Sequence, residues 1–525
     1  MTTAREVEAG APPRRSDRGG IVAATSIAVV AAVAAALSAV RLVPSPQVDD
    51  HGTYASVAER LVAGDRLYTD VWDNKDPVFY YALALGRLAS PLADYAIEIL
   101  WVLIACAAAW SLSRTAGLGR AWSVLVGALT LTPVVLTGSA YVPGMTHLPG
   151  VALTLGVVAS AARRRWVVAG ALTALVVLTK IILAPVAVAA LLTCLWHHRS
   201  WSGALRAAVA GLVALGVGLG GLAMRDELGG WVENIRANLV YADGDLFSSR
   251  YGGPVGHLLR AFPEASTRTG LVAAVAVVAV LAVAGVSAWQ GRAPRPLDGT
   301  ATELRAPSLL ASLAVSTLAA SALVLAATAT WPHHGQTLGI PAVVALVLVG
   351  ASLRSSRRGP DHGGVEGGRR ARGPLTRVMI MSLTAYALGG ALHPAYYVQA
   401  GRRAPDSLAA LQQRSPASVA LESLPQVRTY ARAGSNDTTG HATGLRGLGL
   451  ACPRFHQYSI EPAAILDATA ACLPRADALI VDDSVRPEAG APAWNAYVAR
   501  VRALVASGYD CVRTPGSQVC VRHVG

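Results

Sequence analysis

Charge is scarce in this sequence. Only 15% of its 525 residues are Asp, Glu, Lys or Arg, against 53% apolar, which excludes a disordered chain and an ordinary soluble domain. Acids are almost absent from its long Ala/Val/Leu runs. That argues against a transporter or flippase, whose ionisable residues sit at mid-bilayer in broken helices. Cysteine is also rare, six in all, and Cys106 and Cys194 lie inside apolar runs where a thiol behaves as a small hydrophobe.

What the chain has instead is a series of apolar runs that meet or approach the roughly 20 residues needed to cross a bilayer. They fall near 21–43, 92–112, 121–139, 146–161, 166–181, 182–197, 203–223, 269–289, 307–330, 334–352 and 376–394, giving about eleven spans. The reading is an all-α polytopic membrane domain over 21–394, after a polar, Arg-rich, disordered stretch at 1–20 and before a smaller domain at 395–525.

The net charge of +13 invites a nucleic-acid reading, but the placement of the charge argues otherwise. Arg14, Arg15 and Arg18, then Arg163 to Arg165, Arg199 and Arg206, Arg292 and Arg295, and Arg354 to Arg372 all fall on one side if the spans alternate. This is the positive-inside pattern, so the basicity is topological. The amino terminus is then cytoplasmic, and an odd number of spans makes the carboxy-terminal domain extracytoplasmic. Cys452, Cys472, Cys511 and Cys520 all lie in that domain, on the side where disulfides persist. Three pairings are open; a hairpin bond Cys511–Cys520 around Thr514-Pro515-Gly516-Ser517, with Cys452–Cys472 as the second, is preferred.

The first outer loop, 44–91, concentrates carboxylates, a lysine and aromatics in a chain otherwise poor in them. Charge is costly near a bilayer, so charge gathered here marks a working site. Tyr54, Val57, Ala58 and Leu61 recur at helical spacing and describe a short amphipathic helix lying on the membrane surface, closed by Gly64. Asp50 stands just before it, where an aspartate caps a helix more often than it does chemistry. Lys75 could as simply snorkel to headgroups. The combination decides: a carboxylate and a cation on one outer loop at bilayer depth is what chemistry on a lipid phosphate requires.

The residues Asp50-His51-Gly52-Thr53-Tyr54, Ala58-Glu59-Arg60-Leu61, Tyr68-Thr69-Asp70-Val71-Trp72-Asp73-Asn74-Lys75-Asp76-Pro77 and Phe79-Tyr80-Tyr81 resemble the first outer loop of polytopic C-type (GT-C) glycosyltransferases. These include the protein O-mannosyltransferases and the aminoarabinose transferases of lipid A. The likeness is specific over 48–85 and extends loosely, through topology, to about residue 400. It implies a GT-C-like fold and transfer of a sugar from a polyprenyl-phosphate donor to an envelope glycan, lipid or protein outside the cell membrane. It also places Asp50 at the catalytic aspartate and Lys75 at the donor phosphate. Two departures stand out: His51 occupies the place of a second acid, so that a shift of one residue would make Asp49 the base, and the usual Lys-Pro-Pro reads Lys75-Asp76-Pro77.

Further candidates are His333 and His334, in an outer turn similar to the family's loop before a proline-bearing helix, and Lys180 at the outer end of a span, all for donor phosphate. His51 and Tyr54 are candidates for substrate contact. Asp243 and Asp245 could meet sugar hydroxyls or a divalent cation, although a solvated turn is their commoner use. The histidine pair has no third ligand at metal spacing, so no metal site is assigned. In the tail, Ala478 to Asp483 reads as a buried strand, Trp494 to Ser507 as an amphipathic helix and Cys511 to His523 as a hairpin, together a small α/β fold. The resulting expectation is a bacterial cell-membrane glycosyltransferase acting on its outer face. A lipid-linked-sugar transporter and a non-catalytic assembly scaffold are the alternatives.

Overall fold

A computed structural model describes residues 42–43, 50–136, 143–243, 306–327, 332–357, 402, 406, 408–409, 415–434, 445, 447–454, 456–457 and 461–523. The helical part comprises α1 (His51–Val62), α2 (Pro77–Arg87), α3 (Ala93–Thr115), α4 (Arg120–Leu129, followed by a π turn over Thr132–Leu136), α5 (His147–Ala162) and α6 (Trp166–Lys180). It continues with α7 (Ala184–His198), α8 (Trp201–Met224), α9 (Leu228–Asp243), α10 (Ala306–Ala327) and α11 (Gly339–Arg357).

Four described stretches are long and apolar enough to cross a membrane: Ala93–Thr115, Trp166–His198, Trp201–Met224 and Ser308–Ala327. Arg120–Val135, His147–Ala162 and His334–Leu348 are shorter apolar helices. Of the expected spans, 269–289 and 376–394 lie outside the described residues, as does 21–43 apart from Leu42 and Val43.

The stretch Trp166–His198 is 33 residues long but is a hairpin, not a rod. Lys180 leaves the helical region at φ −159°, ψ 81°, a 3-10 turn over Ile181–Leu183 follows, and α7 returns until the His198 ring lies 6.0 Å from that of Trp166. Each 15-residue leg is about 22 Å long. α8 then runs beside α6 in the same direction, Gly170 against Ala207 and Leu178 against Gly218. A methyl group on Gly170 would fall 2.0 Å from the Ala207 carbonyl oxygen, so this close approach requires glycine. The far sides of these helices are apolar and open: Trp196 and Trp201 are 87% and 89% exposed, and Leu205, Leu212 and Val217 are exposed beside them. That is the surface of a helix facing lipid.

Periodicity alone places α1 on the membrane surface, and here the structure corrects it. Eleven of its twelve residues are buried. The reason is that its polar stripe is covered by charge and by a second domain. Glu59 meets Arg87 at 2.9 Å, Arg87 meets Asp94, and Asp94 meets His51 at 3.1 Å, all with fully buried side chains. Arg60 donates to the carbonyls of Leu445 and Leu448 at 3.0 and 2.6 Å.

The carboxy-terminal part contains α12 (Pro416–Glu422), β1 (Thr429–Ala433), β2 (Gly449–Leu450), α13 (Ala463–Cys472), β3 (Ala478–Asp482), α14 (Pro492–Gly508), β4 (Tyr509–Thr514) and β5 (Ser517–Arg522). The strands lie in the order β2-β1-β3-β5-β4, with β1, β2 and β3 parallel and β5 and β4 an antiparallel hairpin against β3. β3 is central, and its run Ala478, Leu479, Ile480 is wholly buried, as a strand covered on both faces must be. Leu466, Trp494, Tyr497 and Val501 form the core on one face, Leu421, Ala478 and Val519 on the other. Cys511 and Cys520 are bonded directly across β4 and β5; Cys452 is bonded to Cys472, tying the segment after β2 to the end of α13.

Candidate active site

Asp50 precedes α1 with φ −49° and ψ −17° and makes no capping hydrogen bond through its side chain. Its Oδ2 accepts the Tyr54 hydroxyl at 3.1 Å, one helical turn along. The common use of an aspartate at this place is therefore not the one seen. Tyr54 is itself fixed, packed edge-on to Phe79 at 5.2 Å and Tyr80 at 6.0 Å. The Lys75 ammonium lies 5.5 Å from the centre of the same Tyr54 ring. One phenol thus holds a carboxylate at its tip and a cation at its face.

Lys75 stands on a rigid pedestal. Tyr68 adopts φ +66°, a left-handed conformation costing a side-chain-bearing residue about 1–2 kcal/mol. Its N–H donates to the Val71 carbonyl at 2.6 Å and its hydroxyl to the Lys75 carbonyl at 2.6 Å, which offsets the strain. Asp73 accepts the Lys75 N–H at 3.2 Å and also the Tyr80 hydroxyl. Burial pushes the Tyr68 and Tyr80 phenols well above their ordinary range, so both remain donors. Asn238 on α9 donates to the Asn74 carbonyl at 2.9 Å, and the Lys75 ammonium donates to the Asn74 side chain.

Asp76, where the family pattern has proline, is engaged by backbone and indole donors. Its carboxylate accepts the Ile181 N–H at 2.9 Å and the Trp231 indole N–H at 3.2 Å, joining the loop to the turn between α6 and α7 and to α9. Burial raises its carboxyl above the usual range, against the pull of these donors and of Lys180 and Lys75. The charged neighbour is a stitch and leaves Lys75 its own partners.

Lys180 is buried at the break of the α6–α7 hairpin, within electrostatic reach of Lys75, Asp76, Asp50 and Asp73. Its side chain packs on Gly150, where an added Cβ would sit 2.9 Å from Lys180 Cβ. One turn up α5, His147 lies against His334, ring centroids 4.9 Å apart. The first turn of α5 thus stands beside Lys180 with a histidine pair above it. Among 45 lysines and arginines the chain has two lysines, and both are here.

The structure brings Asp50, Tyr54, Lys75 and Lys180 into one group and sets His334, in the 3-10 turn Pro332–Leu338, against His147 at the start of α5. His51 is elsewhere: its fully buried ring pairs with Asp94 in the frame behind α1, away from any open face. Asp49 and Asp245 lie outside the described residues, as do the side chains of Asp243 and His333. Among the described residues no group of three His, Cys, Asp or Glu could hold a metal ion. Sequence reasoning missed His147, which opens α5 in the run Met145-Thr146-His147-Leu148-Pro149, and the segment Cys452 to Gln457. In that segment the Trp72 N–H donates to Pro453 at 2.8 Å, the Arg454 guanidinium covers the Trp72 ring at 3.6 Å, and His456 Nε2 meets Asp73 Oδ2 at 3.2 Å. Lys180, a candidate from the sequence, is one of the two lysines of the chain. No periodicity announces the contact to residue 456.

No family profile matches the sequence, and no curated protein is similar to it in sequence. Among solved structures, ArnT from Cupriavidus metallidurans bound to undecaprenyl phosphate is similar with a TM-score of 0.54, at 14% identity over 97% of this chain and 99% of that one. The archaeal oligosaccharyltransferase AglB from Archaeoglobus fulgidus, in complex with an inhibitory peptide and a dolichol-phosphate, gives 0.49 at 10% identity over 97% of this chain and 75% of that one. A helical bundle whose long apolar helices carry a buried first loop, completed by a carboxy-terminal α/β unit, matches the first of these from end to end: the chain has a GT-C-like fold.

Proposed function

We propose that this chain is an integral membrane glycosyltransferase that moves a sugar from a polyprenyl phosphate to a hydroxyl of an envelope glycan, lipid or protein on the outer face of the cell membrane. The observation that supports it is that both lysines of the chain stand near the Asp50–Tyr54 pair, Lys75 at 5.5 Å from the Tyr54 ring and Lys180 within electrostatic reach of Lys75 and Asp50. Two ammonium groups in mutual range repel, and an anion between them relieves the repulsion. Lys75 and Lys180, with His334 and His147 beside them, are suited to a phosphate; Asp50 is left for the acceptor.

The chemistry follows. The Asp50 carboxylate takes the proton of the acceptor hydroxyl as its oxygen bonds to the anomeric carbon, and the bond from that carbon to the phosphate oxygen breaks on the opposite face. One displacement inverts the centre. The departing lipid phosphate gains negative charge in the transition state, which Lys75 and Lys180 stabilise more than they do the bound donor. Phosphate leaves without protonation, so one carboxylate suffices where most glycosidases use two. The base supplies on the order of 10²–10⁴ in rate. A polyprenyl tail, at about 0.8 kcal/mol per buried CH₂, stays in the bilayer and presents its phosphate at headgroup depth. The carboxy-terminal domain is suited to acceptor recognition.

Transfer of labelled sugar from a panel of polyprenyl-phosphate donors, by membranes carrying the native chain or Asp50→Asn, tests the reading. Transfer by the native chain that Asp50→Asn abolishes is expected. Native activity indifferent to Asp50, or none with any donor from a folded chain, overturns it.

A further inference from the structure

The carboxylate of Asp73 is 1% exposed and has three partners. Oδ1 accepts the Lys75 N–H and the Tyr80 hydroxyl, and Oδ2 faces His456 Nε2 at 3.2 Å. A buried carboxylate holds its place only while its acceptor capacity is met. The first two partners belong to the loop itself. The third comes from the other domain, more than 380 residues along the chain.

His456 is placed with care. The next residue, Gln457, exchanges hydrogen bonds with Gly434 at the end of β1: its N–H donates to the Gly434 carbonyl at 3.1 Å and its side-chain oxygen accepts the Gly434 N–H at 2.9 Å. The same oxygen accepts the Tyr497 hydroxyl at 2.9 Å. Four residues before His456, Cys452 is bonded to Cys472. Between them Pro453 and Arg454 grip Trp72, the residue before Asp73. The segment is therefore bolted to its own domain at both ends and to the outer loop in the middle. It also lies at the carboxyl end of a parallel strand, the edge at which α/β sheets place their working residues. The charged groups facing His456 are Asp73, Asp50 and Lys75 from the loop and Arg432 from β1.

We propose that His456 is a positioning residue of the transfer site: by donating from Nε2 to Asp73 it fixes the turn that carries Lys75, so that the carboxy-terminal domain sets the grip on donor phosphate. This rests on the function proposed above. In this role His456 acts through Asp73, and Asp73 acts through the Lys75 backbone. The domain is thereby part of the catalytic unit as well as a face for the acceptor.

The test uses the full-length chain in lipid nanodiscs as His456→Leu, His456→Asn and His456→Gln. Glutamine carries an N–H at nearly the reach of Nε2, while asparagine is polar but a methylene too short. Loss of one hydrogen bond to a charged group corresponds to about tenfold. His456→Leu and His456→Asn are expected to raise the donor KM about tenfold with kcat within about threefold, and His456→Gln to restore the KM to within about twofold. Acylation of lysine amines, mapped by mass spectrometry, reads the coupling without any substrate, and two lysines make the map unambiguous. Lys75 should react several-fold faster in the leucine and asparagine variants and at the native rate in the glutamine variant. Equal effects of all three substitutions, or unchanged Lys75 reactivity, overturn the proposal. A native chain that transfers no sugar overturns the function instead, and the labelling still judges the coupling.

Discussion

The Tyr54 hydroxyl donates to Asp50 Oδ2 across 3.1 Å. The pair lies one turn apart on α1, so the angle at which the carboxylate faces the site is set by a ring that cannot move, wedged between Phe79 and Tyr80. In the proposed reaction the orientation of the Asp50 carboxylate is worth part of the rate, and that part resides in a phenol.

Tyr54→Phe keeps the ring under Lys75 and removes only the hydroxyl. Transfer assays should show kcat reduced about tenfold, the worth of one hydrogen bond to a charged group, with donor KM unchanged. Asp50→Asn should cost on the order of 10²–10⁴. Equal losses in the two would mean that the tyrosine does more than orient.

Asp76→Ala should destabilise the fold by about 3 kcal/mol, since it leaves the Ile181 N–H and the Trp231 indole buried without their acceptor. Asp76→Asn, which retains one acceptor, should cost less than half of that. Thermal unfolding in detergent, read through tryptophan fluorescence, checks both.

Arg87→Met should be costlier still, about 3–5 kcal/mol, because Glu59 and Asp94 would lose their buried cationic partner. Adding Glu59→Gln and Asp94→Asn should recover much of the loss. Failure to recover would show that the arginine holds α1, α2 and α3 by shape and not by charge.

Burial keeps His456 below the ordinary histidine value of 6.5, against the pull of Asp73 and Asp50; Lys75 and Arg432 push the same way as burial. Between the folded value and 6.5 the unfolded chain binds more protons, so stability rises with pH there. The contribution is complete above 6.5 and fades as pH falls toward the folded value. Unfolding temperatures measured from pH 8 down to about 5 should fall in the native chain and fall less in His456→Gln.

Reduction of Cys452–Cys472, which closes a loop with a sequence separation of 20, should cost the carboxy-terminal domain about 3 kcal/mol and should also weaken donor binding, because it frees one end of the segment gripping Trp72. Replacing Cys511 and Cys520 by serine should lower stability alone. Chemical denaturation and donor KM, measured side by side on the two serine pairs, separate these outcomes.

The sequence carried the loop from Asp50 to Tyr81 because charge in an apolar chain stands out, and it carried β3, α14 and the β4–β5 hairpin because their patterns are local. It misplaced α1, whose stripe looks amphipathic until Arg87, Asp94 and the domain at Leu445 are brought to it from other parts of the chain. It gave His51 to the substrate for the same reason: its partner Asp94 is 43 residues away and on another helix. Asp76 looked like an intruder beside a phosphate ligand, since nothing local reveals Ile181 and Trp231 as its donors. His456 was invisible because a single histidine in a loop has no period.

Arg60 and Leu445 are 385 residues apart in sequence and hydrogen-bonded in space. At a synthesis rate of about 5–20 residues per second, the loop of Asp50 and Lys75 leaves the ribosome roughly half a minute before the segment that braces it. During that interval the chain already has Asp50 and both lysines, but the turn under Lys75 lacks the tie from His456 to Asp73. The brace on Asp73 therefore forms only after the segment around His456 has been made.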